Sequence, residues 1–317
     1  MRSGSLYAVD VLPRDVLESF CVVTCVFNPW RYRTRIDLYR EFAEYVQSSG
    51  GRLLTVELAF GERPFLVTTG EDEWNYQFRT WDELWHKERL LNLGIERLPD
   101  NCKYVAWVDA DVRFSRQDWV TECIQRLQHY PVIQMFSKVS DLGPECEAMN
   151  TAMGFAYAYQ HGLITDTQCY SKFHPGFAWA ARRDVLDDLG GLLDVAVLGA
   201  GDRHMAQAMV GAVGKSYPDG LSAGYREQLK LWQDRARTYV RGDVGYMPGH
   251  LMHYWHGKKV NRRYKDRWEI LIKNNYDPEF DLKRDTQGLH RFTDRNPQLR
   301  QDIRRYFLQR NEDDISV

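Results

Sequence analysis

Two aspartates, Asp109 and Asp111, stand directly after the apolar segment KYVAWV (103–108), with one alanine between them. Their carboxylate oxygens are the hard ligands that Mg²⁺ and Mn²⁺ prefer, and such ions complete their coordination with phosphate oxygens and water. Aspartate is also common in the turns that follow strands, so the triplet alone equally fits a turn without an ion. The sequence therefore predicts a divalent cation here if other ligands converge on the same place.

The segment HLMHYWHGKK (250–259) offers candidate ligands of a second type. A neutral imidazole is a suitable third ligand for Mn²⁺ beside carboxylates, and both His253 and His256 qualify. Lys258 opens a basic cluster that can neutralise a diphosphate. Positions 241–310 carry 16 Lys and Arg against 9 Asp and Glu, although the net charge of the chain is −2. This stretch suits an anionic ligand, and it also fits a solvated basic surface.

Predicted strands and helices alternate around these residues. Four short apolar runs predict buried strands: 21–27, 52–60, 103–108 and 132–136. The spacing of apolar residues predicts helices at 34–47, 81–98, 117–129, 203–210, 221–241 and 299–310. Such alternation is typical of βαβ units, so we expect an α/β fold with a mostly parallel central sheet flanked by helices. Ligands of such sheets bind at the carboxyl ends of the strands, where Asp109 and Asp111 lie.

Several segments together resemble the GT-A glycosyltransferases, a Rossmann-like fold, and within them the β-1,4-galactosyltransferases and other family-2-like inverting enzymes. The Asp109–Asp111 triplet resembles the family's DxD motif, and KERLLNLG (87–94) resembles the helix that precedes it. GFAWAARRDVL (176–186) resembles the family's Gly/aromatic strand, and LGAGD (198–202) stands where the family has Gly-Gly-Glu-Asp. The late histidines complete the family's order of motifs.

The resemblance implies a role for each of these residues. Asp202 would be the base that accepts the proton of the acceptor hydroxyl, although it also fits a helix N-cap. Gly201 replaces the acidic residue that the family often has, which leaves one carboxylate for the task. Asp111 is the expected direct metal ligand together with His253 or His256, and Asp109 is expected nearer the ribose or sugar. The remaining implied donor contacts are Thr24, Phe27, Asn28, Lys87 with Arg89 as a further option, Trp179 and Lys258.

The implied activity is transfer of a hexose from a nucleotide-sugar donor, a UDP-sugar in the first instance, with Mn²⁺ or Mg²⁺ as cofactor and inversion at the sugar. The acceptor stays open between a glycan, a small molecule and a hydroxymethylated DNA base. A nucleotidyltransferase with paired aspartates is one alternative. A non-catalytic protein that binds carbohydrate or nucleic acid is the other.

The chain has 317 residues, 44% of them hydrophobic, which is enough for a substantial core. We expect a catalytic domain over 1–260, with a donor half at about 20–136 and an acceptor half at about 137–260. A basic, helical extension over 261–317 is expected to pack on the same domain. A long loop at about 136–173 is expected to close over the donor. Six scattered cysteines, no apolar run of membrane-spanning length and no signal-peptide pattern lead us to expect a cytoplasmic protein.

Overall fold

The computed structural model describes residues 12–164, 173–263 and 266–314. Its main sheet has seven strands in the order β11-β6-β10-β4-β1-β2-β3. The strand bounds are β1 Phe20–Phe27, β2 Arg52–Phe60, β3 Asn75–Thr80, β4 Tyr104–Val108, β6 Val132–Gln134, β10 Ala178–Arg182 and β11 Val244–Tyr246. Only β10 runs antiparallel to its neighbours, and the other pairings are parallel. The predicted α/β fold with a mostly parallel central sheet is therefore confirmed.

Helices pack on both faces of this sheet, and the sheet separates two hydrophobic clusters. The helix bounds are α1 Arg14–Glu18, α2 Arg33–Ser48, α3 Lys87–Ile95, α4 Trp119–His129, α5 Phe155–Gln160, α6 Arg183–Leu189, α7 Gly201–Met209, α8 Ala223–Tyr239, α9 Asp266–Lys273, α10 Pro278–Asp281 and α11 Pro297–Leu308. None of the helices in the described ranges has the length and apolar character needed to cross a membrane.

Close packing of α3 against β1 and β2 fixes the helix that carries Lys87. A Cβ on Gly94 would lie 2.7 Å from Val23 Cγ1 and 2.9 Å from Val56 Cγ2. Only glycine allows the helix backbone to come this close to the sheet. The glycine in the predicted 87–94 helix therefore has a packing role.

A second, five-stranded sheet in the order β5-β12-β7-β8-β9 stands beside the carboxyl end of β4. Its strands are β5 Val112–Phe114, β7 Lys138–Leu142, β8 Ala148–Gly154, β9 Phe173–His174 and β12 His250–His253. Strand β12 is inserted between β5 and β7, so that His253 pairs with Val112 on one side and Asp141 on the other. This register brings the late histidines next to Asp111, which is 142 positions earlier than His253 in the chain.

Two sequence-based expectations about the elements are wrong, and a third is incomplete. The helix expected at 81–98 begins only at Lys87. Residues 75–80, which precede position 81, form strand β3. The expected loop at 136–173 consists largely of β7, β8 and α5, while residues 165–172 lie outside the described part. The C-terminal extension is helical as expected, but it also contains a hairpin, β13 Leu282–Arg284 with β14 His290–Phe292.

Candidate active site

A cleft of about 150 Å³ opens at the carboxyl ends of β1 and β4. Eight residues singled out from the sequence line it: Thr24, Phe27, Lys87, Asp109, Asp111, Asp202, His253 and His256. They come from five separate elements or the loops after them, so only the fold brings them together. This is the edge at which parallel sheets bind ligands.

Asp111, His253 and His256 form a compact cluster in this cleft, with one ligand atom of each within 4.8 Å of the others. Asp111 Oδ2 lies 3.1 Å from His256 Nε2 and 3.9 Å from His253 Nε2, and the two Nε2 atoms are 3.3 Å apart. Ligands at right angles around an ion with bonds of about 2.1 Å stand about 3 Å apart, so this spacing suits a small divalent cation. Both histidines face the same point, so the structure does not single out one of them.

Asp141 orients one of these histidines. Its Oδ1 lies 2.8 Å from His253 Nδ1, and both side chains are almost fully buried. A carboxylate bound to Nδ1 places the proton on that nitrogen and leaves the Nε2 lone pair directed at the cluster. Asp141 was not identified from the sequence, because its role depends on the pairing of β7 with β12.

The protonation states of two cluster residues suit a cation. Burial raises the pKa of the Asp111 carboxyl, but the neighbouring histidines and Arg35 outweigh burial and hold that pKa well below its usual range. Burial, with Arg262 nearby, lowers the pKa of His256 to about 3. Near neutral pH the cluster therefore presents an ionised carboxylate and a neutral His256, which are the protonation states that metal ligation requires.

Asp109 does not belong to the cluster in the described structure. Its Oδ1 forms an ion pair with Lys87 Nζ at the start of α3. The pair keeps Lys87 charged, because the attraction of Asp109 outweighs burial and raises the pKa of the ammonium. Arg89, the further option on this helix, points elsewhere and donates to the carbonyl of Gly288.

Asp202 stands in the first turn of α7, and its surroundings leave room for its carboxylate. The residue at the N-cap position is Ala200, so the N-cap interpretation of Asp202 is wrong. A Cβ on Gly176 would lie 2.3 Å from Asp202 Oδ2, so the glycine leaves space for this carboxylate. Phe177 and Ala200, which line the same cleft, adopt positive φ values of 76° and 84°. Such backbone is unfavourable for residues with side chains, and it concentrates at functional sites.

Glu88 is a cleft residue that sequence reasoning missed. Its side chain lines the cleft and is 4% exposed. Burial, together with the charge of Asp202, outweighs the attraction of Lys87 and raises the pKa of Glu88 to about 8. A possible signal was the glycine at 201: a Cβ there would lie 2.6 Å from Glu88 Cδ.

Four arginines line the cleft: Arg35, Arg262, Arg267 and Arg310. Arg262 lies in the basic cluster expected from Lys258 onward, whereas the other three were missed as site residues. Glu312 holds two of them, because its carboxylate pairs with Arg35 and lies 2.6 Å from Arg310 Nε. Burial raises the pKa of the Glu312 carboxyl, but these two guanidinium groups outweigh it and keep the acid ionised. The cleft is thus rich in fixed positive charge beside its carboxylates.

Three residues expected at the site lie outside the cleft. Asn28 is buried, and its side chain bonds to the backbone of Tyr32. The Trp179 indole is buried and donates to the Pro175 carbonyl, behind the cleft. Lys258 lines a neighbouring cavity of about 300 Å³ instead.

Thr24 and Phe27 line the cleft, with different surroundings. The Thr24 hydroxyl donates to the carbonyl of Val108 across β1 and β4, which is a structural contact. The Phe27 ring packs edge-to-face on Trp85, with centroids 5.2 Å apart. Trp85, which also lines the cleft, was not identified from the sequence.

No protein-family model matches the chain, and no curated protein matches it. Among solved structures, it is similar to the catalytic domain of Drosophila β-1,4-galactosyltransferase 7 with xylobiose, at 14% identity and a TM-score of 0.30, over 59% of this chain and 58% of that one. A mutant of the same enzyme with manganese, UDP-Gal and xylobiose matches at 12% identity, a TM-score of 0.32 and 59% of each chain.

A third similar structure is the mannosyl-3-phosphoglycerate synthase of Rubrobacter xylanophilus, at 9% identity and a TM-score of 0.36, over 89% of this chain and 90% of that one. The matched region is about three fifths of the Drosophila chain.

Proposed function

We propose that this chain is a metal-dependent glycosyltransferase of the GT-A class, which moves a sugar from a nucleoside-diphosphate sugar to a hydroxyl group. The observation that carries the proposal is the convergence, in one cleft, of a cluster suited to a divalent cation, several fixed cations and the Asp202 carboxylate. A leaving diphosphate needs the first two features, and activation of a hydroxyl needs the third.

A second observation, besides the spacing of the ligand atoms, indicates that the Asp111, His253 and His256 cluster fits a divalent cation. Asp111 Oδ1 is buried without a hydrogen-bond partner in the described residues, which is a costly state for a carboxylate oxygen. A carboxylate with two imidazoles suits Mn²⁺ better than Mg²⁺, which favours oxygen ligands alone, and it also suits Fe²⁺ and Zn²⁺. A bound cation would supply charge neutralisation at the diphosphate. Asp111, His253 and His256 would hold it.

The side chains of the cleft support the remaining steps. Lys87 and the guanidinium groups of Arg35 and Arg310 stand where they can stabilise the negative charge that develops on the diphosphate. Asp109, held by Lys87, is available to a hydroxyl of the donor. The bond between the anomeric carbon and the diphosphate breaks, and its electron pair leaves with the diphosphate.

Asp202 is the proposed base on the other side of the reacting carbon. Its carboxylate accepts the proton of the acceptor hydroxyl while that oxygen bonds to the anomeric carbon. Attack from the face opposite the leaving group inverts the configuration. The acceptor itself stays open between a glycan, a small molecule and a hydroxymethylated DNA base, and the donor nucleotide is proposed to be UDP.

A panel of UDP-, GDP- and dTDP-sugars with Mn²⁺, Mg²⁺, Fe²⁺ or Zn²⁺ tests this function, with nucleotide release as the signal. We expect release from one nucleotide class, dependent on the metal and faster with the right acceptor. Pyrophosphate release from a nucleoside triphosphate would instead identify a nucleotidyltransferase. Binding of sugar or DNA without any nucleotide release would identify a non-catalytic binding protein.

A further inference from the structure

Glu88 reaches the part of the cleft that contains Asp202, the proposed base, from a helix that the motif comparison linked to the donor. It lies in the first turn of α3, next to Lys87, and its side chain lines both the cleft and a small cavity behind it. Asp202 lines the same two spaces. Two carboxyl groups from different helices therefore share one place.

Gly201 makes this arrangement possible. A side chain at 201 would begin 2.6 Å from Glu88 Cδ and 3.0 Å from Glu88 Cγ, so the Glu88 carboxyl fills the volume that such a side chain would take. Position 201 has no acid, but Glu88 supplies one from α3.

The surroundings of Glu88 favour its neutral form. The adjacent cation, Lys87, is paired with Asp109. Within the described residues, the structure shows neither a salt bridge nor a side-chain hydrogen bond to the Glu88 carboxyl. A buried carboxyl beside a second carboxylate and without a direct counter-ion retains its proton more readily. A neutral carboxyl can donate a hydrogen bond, which an ionised one cannot.

We propose that Glu88 acts in its protonated form as a hydrogen-bond donor to the acceptor oxygen, and so orients the acceptor O–H toward Asp202. The inference rests on the proposed glycosyltransferase function. The proton that is transferred goes from the acceptor to Asp202, and the proton of Glu88 stays on Glu88. The two carboxyls thus have opposite tasks, one accepting and one donating.

Two substitutions of Glu88 distinguish a neutral hydrogen-bond donor at this position from an ionised carboxylate. In Glu88→Gln the amide can still donate a hydrogen bond, whereas Glu88→Ala removes the donor. The assay is nucleotide release from the UDP-sugar and metal that the unmodified protein uses, with water as acceptor. Near neutral pH we expect Glu88→Gln to stay within about fivefold of the unmodified protein and Glu88→Ala to lose about 10- to 100-fold, since a single oriented hydrogen bond has that effect.

The pH profile provides the readout that a structural role would not change. The groups that face Glu88 are Lys87 on its own helix, Asp109 after β4, Asp202 on α7 and Arg267, which lines the same cleft from α9. They are present in both proteins, so the ratio of the Glu88→Gln rate to the unmodified rate removes their contribution. We expect this ratio to rise as pH increases through about 8, because only the unmodified protein loses its donor.

Glu96→Gln is the matched control, because Glu96 follows the last turn of α3 and is mostly exposed. We expect no change in rate or pH profile from it. Loss of activity in Glu88→Gln equal to that in Glu88→Ala would overturn the proposal, since the group would then act ionised. Unmodified activity in Glu88→Ala would overturn it as well. If the unmodified protein releases no nucleotide with any metal, the proposed function itself fails, and that result is distinct from both.

Discussion

Removal of the Asp141 carboxylate is expected to weaken metal binding although Asp141 is not itself a proposed ligand. Its Oδ1 lies 2.8 Å from His253 Nδ1, in a place where the imidazole is 3% exposed. Without this acceptor the imidazole can place its proton on Nε2, the atom that faces the cluster. Asp141→Ala therefore removes both the orientation of the ring and the preference for the useful tautomer.

The size of the effect follows from this one contact. A hydrogen bond to a charged group contributes about 1.5–3 kcal/mol, which corresponds to about 10- to 100-fold in an equilibrium constant. Asp141→Ala should weaken Mn²⁺ binding by that factor. Asp141→Asn keeps an oxygen acceptor and loses only the charge, so about three- to tenfold is expected.

Calorimetric titration of Mn²⁺ into each protein near neutral pH measures the affinities directly. Asn150→Ala is the control, because Asn150 Nδ2 donates to the other oxygen of Asp141, at 3.3 Å, and the substitution leaves the oxygen that faces His253 in place. We expect less than a threefold change from it. Equal Mn²⁺ affinity in Asp141→Ala and the unmodified protein, with both folded, would refute the role of Asp141.

Three further predictions concern charge, packing and pH. Glu312→Gln removes the anion that holds Arg35 and Arg310. We therefore expect UDP to bind about tenfold more weakly, which corresponds to about 1.4 kcal/mol of binding free energy. An unchanged UDP affinity in calorimetric titration would contradict this. Gly94→Ala should lower the free energy of unfolding by about 1–3 kcal/mol, because the new Cβ would lie 2.7 Å from Val23 Cγ1 in the sheet. Urea titrations measure this change, and equal stability of the two proteins would show that α3 can move away from the sheet. Folding raises the pKa of Glu88 from its ordinary value near 4.5 to about 8, so the protonated group stabilises the fold at pH values below 4.5 and this stabilisation is lost as pH rises to about 8. The free energy of unfolding of the unmodified protein, relative to that of Glu88→Gln, should therefore fall between these two pH values. A constant difference between the two proteins in urea titrations at both pH values would oppose this.

The elements that fill the centre of the fold could be predicted well from the sequence. The apolar run at 52–60 predicts β2 with its observed bounds, and 103–108 predicts β4 to within one residue. Both strands are buried on their two faces, so most of their residues are apolar. Strand β3 was missed because NYQFRT (75–80) is polar and lies at the sheet edge, where burial imposes no such pattern.

The site was predictable where a side chain lies in a recognisable motif and points into the cleft. Asp111 and Asp202 are in this group. Glu88 was not, because its neighbours Lys87 and Arg89 are the residues that the motif draws attention to, and only the packing of α3 against α7 shows which side chain faces the cleft. Glu312 and Arg35 are 277 positions apart, and local sequence carries no signal for such a pair.

The central claim is that Asp111 binds a divalent cation without which no donor is used. The most direct measurement compares nucleotide release from a UDP-sugar by the unmodified protein and by Asp111→Asn, each with increasing Mn²⁺. We predict saturable, Mn²⁺-dependent release by the unmodified protein and a loss of at least about 100-fold in the variant, the scale of removing a key electrostatic stabiliser. Equal turnover of the two proteins, or full turnover in the presence of excess chelator, would contradict the account.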